Sequence, residues 1–79
     1  MIDVATKKPL KVERGLASAL VQVSMPQLPA VRTVLDRHQV TYWTSESAIT
    51  ENGGPFFVDV EFGRGEDPDK IQAILDAAG

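Results

Sequence analysis

The stretch Phe56-Phe57-Val58-Asp59-Val60-Glu61-Phe62 constrains this chain more than any other. Successive side chains of a strand point to opposite faces, so Phe56, Val58, Val60 and Phe62 share one side and Phe57, Asp59 and Glu61 the other. Such alternation specifies a strand buried on one face and wet on the other, as in an antiparallel sheet with one covered side. Two amphipathic segments can provide the cover. Leu28, Val31 and Leu35, with Val34 beside them, recur at helical spacing, while Arg32, Asp36 and Arg37 fall on the opposite side. Pro26 and Pro29 suit a first turn, so this helix is expected to start near Gln27 and end near His38 or Gln39. Ile71, Ile74, Leu75 and Ala78 form the second stripe, opened by Asp67 as cap, Pro68 at the first position and Asp69 against the helix dipole.

Two further strands are expected. Leu16 to Ser24 places Ala17, Ala19, Val21, Val23 and Met25 on a core face and Leu16, Ser18, Leu20, Gln22 and Ser24 on the other. Val40-Thr41-Tyr42-Trp43-Thr44 is rich in β-branched and aromatic residues. Ser45-Glu46-Ser47 breaks that strand before Ala48-Ile49-Thr50, and Glu51-Asn52-Gly53-Gly54 is a tight-turn signal, because Asn-Gly accepts positive φ. The order β-α-β-β-α reads as an α+β, two-layer sandwich of the ferredoxin-like kind, an antiparallel sheet with two helices on one face. The usual last strand is missing from that order. Residues 10–14 are a candidate extra N-terminal strand that fills the vacant edge through a hairpin at Gly15. Residues 1–79 are expected to form a single domain, with 1–9 as a flexible lead-in segment.

Composition narrows the function. With no Cys and one His, the chain offers no disulfide, thiolate nucleophile or multi-histidine metal centre, so no metal or cofactor is expected. No apolar run approaches the ~20 residues that span a bilayer, and the start MIDVATKKPLKV has no signal-peptide core, so no membrane association and a cytoplasmic setting are expected. Residues 46–79 carry a net charge of −6, against +2 for 1–15 and +1 for 16–45. Gly63-Arg64-Gly65 before a helix has the outline of an anion cradle, but Glu66, Asp67 and Asp69 put carboxylates where a phosphate would sit. His38 has no Ser, Cys or second His at catalytic spacing and fits the last turn of a helix, where its cation meets the dipole. Phe57 on an open face suits base stacking, yet its neighbours Asp59 and Glu61 and the net charge of −3 oppose a nucleic-acid partner. The chain is therefore not expected to be an enzyme.

The segment Pro26-Gln27-Leu28-Pro29-Ala30-Val31, between strand and helix, resembles the first junction of ACT-type regulatory domains, and His38-Gln39-Val40-Thr41-Tyr42 is similar to the next junction of that family. The resemblance covers roughly residues 16–79 and lies mostly in element order. It implies an ACT-like sensor for a small ligand such as an amino acid, held by Ser24, Met25, Gln27, Tyr42 and Trp43. The residues themselves point more strongly to association. Leu16, Leu20 and Phe57 face away from the core, and one of Tyr42 and Trp43 must join them. A contiguous apolar group across three strands marks an interface. The primary expectation is a non-enzymatic interaction or regulatory module that forms a homodimer through Leu16, Leu20, Tyr42, Trp43 and Phe57.

Overall fold

A computed structural model describes residues 1–15, 18–45 and 56–78. Their elements are β1 (Glu13–Arg14), β2 (Ala19–Ser24), α1 (Leu28–Arg37), β3 (Tyr42–Thr44), β4 (Phe57–Phe62) and α2 (Pro68–Ala77). The strands form one antiparallel four-stranded sheet in the order β1-β2-β4-β3, so β4 lies between the two strands that α1 connects. Leu16, Ala17 and the turn at 51–54 lie outside the described residues, as do Ala48, Ile49 and Thr50.

The alternation of β4 decides the layers. Val58, Val60 and Phe62 are buried, opposite Val23, Val21 and Tyr42 in the register. Val31 and Leu35 of α1 and Ile71 and Leu75 of α2 join Val21, Val23, Val60 and Phe62 in one core, so both helices cover the same side. Sequence expectations are corrected here at four positions. Ser24, expected on the open face, is fully buried against Asp3, and Ala78, expected in the core-facing stripe, is the exposed C-cap of α2. Phe56 lies just before β4 and is 52% exposed, and Met25 is exposed because the chain leaves β2 at Ser24 and turns through the 3-10 segment Met25–Gln27. That turn places Pro29 second in α1, where its missing N–H costs no helical bond.

Both helix ends follow their local chemistry. The Asp67 carboxylate accepts the Asp69 N–H at 2.9 Å, with Pro68 in the first turn. At the other junction, Gln39 N–H donates to the Asp36 carbonyl (3.1 Å) and Val40 N–H to that of Leu35 (3.0 Å). This paired closure requires a left-handed residue after the cap, and Gln39 supplies it at φ 57°. Glycine adopts that conformation without a Cβ penalty. Gln39→Gly is therefore expected to stabilise the fold by about 0.5–1 kcal/mol in chemical denaturation, offset in part by the freer unfolded chain.

The expected N-terminal strand forms in shortened form. Glu13 and Arg14 pair with Leu20 and Ala19. The hairpin closes where Gly15 N–H donates to the Ser18 carbonyl at 2.9 Å. A Cβ on Gly15 would lie 2.5 Å from that oxygen, so only glycine fits the approach. Residues 1–12 then fold back over the sheet edge, with Leu10 buried in the core and Ile2 bridged to Pro9.

Candidate functional site

Ala19, Val21 and Val23 of β2 turn into the core and Leu20 and Gln22 turn away from it, so the face that neither helix covers carries, among the described residues, Leu20, Gln22, Trp43, Phe57, Asp59 and Glu61. The register sets Leu20, Glu61 and Trp43 in one row across β2, β4 and β3, and Gln22 beside Asp59 in the next. Trp43 is 49% exposed, and its indole Nε1 donates to Glu61 Oε2 at 3.0 Å. That bond ties the ring to the neighbouring strand β4. Leu20 and Phe57 are half-buried.

Tyr42 faces the other way. It packs against the core, and its hydroxyl donates to Asp36 Oδ1 at 2.8 Å. Burial raises its pKa, the bond to Asp36 and that residue's charge add to the rise, and Arg32 opposes them. Trp43, not Tyr42, is thus the aromatic that joins the open face. Leu16 lies outside the described residues.

The residues expected to hold a small ligand are not gathered in one place. Ser24, Met25 and Gln27 lie at the end of β2 that pairs with the start of β4, whereas Tyr42 and Trp43 pair with its last residues, Phe62 and Glu61. Two of the first group also have internal partners. Gln27 is buried, and its Oε1 accepts Val4 N–H at 3.0 Å. Ser24 donates its N–H (2.9 Å) and hydroxyl (2.8 Å) to Asp3.

Asp3 is the residue that sequence reasoning missed most plainly. It is 2% exposed and also accepts the N–H groups of Ala5 (2.8 Å) and Thr6 (3.2 Å). Burial pushes its pKa up, but the bonds from Ser24, Ala5 and Thr6 outweigh it and hold the carboxyl below the ordinary value. The local Asp3-Val4-Ala5-Thr6 turn is a signal that could have pointed to it, since Asp commonly bonds the backbone two residues on.

Gln72 of α2 is a second anchor. Its Oε1 accepts Val12 N–H (2.8 Å) and its Nε2 donates to the Leu10 carbonyl (3.0 Å), so one amide imitates a strand neighbour. Gln72→Ala leaves both backbone groups without those partners and is expected to cost about 1–3 kcal/mol, read as a lower denaturant midpoint. Amide exchange at Val12 is expected to accelerate in the same variant.

The clefts among the described residues include the following two. One, of about 300 Å³, brings His38, Gln39 and Val40 together with Glu66, Asp67 and Lys70. Its acids are already occupied, Asp67 by the α2 cap and Glu66 by Thr41 N–H at 3.2 Å. The other, of about 360 Å³, lies between the N-terminal segment and the outer edge of β2. Among the described residues no group of three or more His, Asp or Glu side chains could hold a metal ion, and no helix is long and apolar enough to cross a membrane. Comparison with protein-family models, curated proteins and solved structures gives no match.

Proposed function

We propose that this chain is a non-enzymatic interaction module of the ferredoxin-like, ACT-like kind, and that it self-associates through the uncovered face of its sheet. The architectural part rests on β4 being inserted between β2 and β3, the strands joined by α1, with β1 on the remaining edge of β2. The functional part rests on one observation, the half-exposed indole of Trp43 held in line with Leu20 on a face that neither helix covers. An aromatic ring fixed in place loses little entropy on burial, which makes it an efficient anchor. A second copy meeting the same face by a two-fold axis would bury Leu20, Trp43 and Phe57 from both sides.

Asp59 and Glu61 share this face, and like charges brought together oppose association. Glu61 is bonded to the indole, and a staggered two-fold arrangement leaves Asp59 at the polar rim. Association is accordingly expected to strengthen with salt, because screening weakens the acid repulsion more than the apolar contact.

Size-exclusion chromatography with light scattering tests the proposal. The mass is expected to approach two chains at high micromolar concentration, and Phe57→Ser to shift it back toward one. A single-chain mass throughout, identical in Phe57→Ser, would contradict it.

A further inference from the structure

Among the described residues, the edge of β2 facing away from β4 is covered at two points and open between them. At one point Glu13 pairs with Leu20, and at the other the Asp3 carboxylate takes the N–H of Ser24. The intervening outward residue is Gln22. Met25 N–H donates to the Phe56 carbonyl, which fixes the phase of the β2–β4 ladder, so Gln22 turns its backbone N–H and carbonyl away from β4. Continuing the β1–β2 register would bring Lys11 opposite Gln22, but β1 stops at Glu13.

The reason is visible in the residues just before it. Gln72 holds the Leu10 carbonyl and the Val12 N–H, and Leu10 is buried in the core, so residues 10–12 are drawn off the sheet toward α2. The result is a notch in the sheet edge. Its two anchors, Leu20 and Ser24, are about 13 Å apart at strand rise. The 360 Å³ cleft coincides with it and is lined by Gln22, Phe57, Thr6, Lys8 and Lys11, with Glu13 at the β1 end.

We propose that this notch binds the C-terminal end of an extended peptide. One residue of the peptide pairs its backbone with Gln22, adding a strand-like rung to the edge. The terminal carboxylate lies against the ammonium groups of Lys8 and Lys11, and Phe57 packs on the last side chain. The span favours a chain end over a through-running strand, because both anchors block the edge beyond one residue on each side. The Asp3 carboxylate does not compete for the two lysines, since it is buried and engaged by Ser24, Ala5 and Thr6.

The test uses fluorescein-labelled Gly-Ser-Gly-Val-Val-Val in fluorescence anisotropy, with the full chain carrying Trp43→Ser so that self-association makes no contribution. The free-acid peptide is expected to bind saturably. Its C-terminal amide, and a form N-methylated at the last two residues, are each expected to bind at least about tenfold more weakly. Lys8→Glu with Lys11→Glu is expected to weaken the free acid by a similar factor, and because both side chains are exposed the double variant should keep its unfolding midpoint. Saturable binding of free acid and amide with equal strength would overturn the carboxylate assignment. No anisotropy change at about 1 mM protein, or no effect of N-methylation, would overturn the proposal as a whole.

Discussion

Asp3→Asn is expected to lower the unfolding midpoint by about 6–20 °C, the equivalent of about 1.5–3 kcal/mol for a domain of this size. The carboxylate accepts four bonds while almost wholly buried, two of them from Ser24 on the edge of β2. An amide in its place keeps one acceptor oxygen and turns an N–H₂ toward donors, so at least one bond becomes a donor–donor conflict. The pH dependence has a definite sign. Because the folded-state pKa of Asp3 is lowered, its contribution is fully present above the unfolded-state pKa and is lost as pH falls through the folded value. The gap between wild type and Asp3→Asn, measured by urea unfolding, is therefore expected to be widest at neutral pH and to narrow below about pH 4. A gap that stays constant down to pH 2 would mean that the charge of Asp3 is not what binds the N-terminal segment to the sheet.

Trp43→Ser is expected to weaken self-association by about a thousandfold. A central aromatic anchor is worth about 2 kcal/mol or more, and a two-fold interface presents it from both copies. The fold itself should tolerate the change, since the ring is half exposed and its one bond, to Glu61, lies at the surface. The unfolding midpoint of the dilute protein is expected to move by no more than a few degrees. This separates an interface role from a structural one. Tyr42→Phe is the matched control on the same strand. It removes the bond to Asp36 on the covered side and should leave association unchanged.

Much of this architecture is legible locally. The Asp67-Pro68-Asp69 cap, the stripe at Ile71 and Leu75, and the alternation from Phe57 to Phe62 are set by residues a few positions apart, and each emerges where its spacing places it; Phe56, read as the first inward residue of that alternation, lies outside β4. The choice between Tyr42 and Trp43 is not local. It depends on the pairing of Tyr42 with Phe62 and Trp43 with Glu61, and a one-residue slip would exchange the two faces. Strand spacing alone does not specify that register. The anchors of the N-terminal segment are further from reach. Asp3 meets Ser24 across 21 residues and Gln72 meets Val12 across 60, through single polar side chains that carry no periodic signature. The same long-range contacts place Ser24 and Gln27, which read as ligand residues at a strand-to-helix junction, against the chain's own first residues.

The chain's single tryptophan lies on the open face, so self-association through that face moves it out of water. Trp43 emission is followed by dilution from about 1 mM to about 1 μM, with mass read in parallel. A red shift on dilution that tracks the fall from two chains to one is the predicted result. Emission that stays constant while the mass remains that of one chain would contradict the account, as would a two-chain mass with Trp43 still in water.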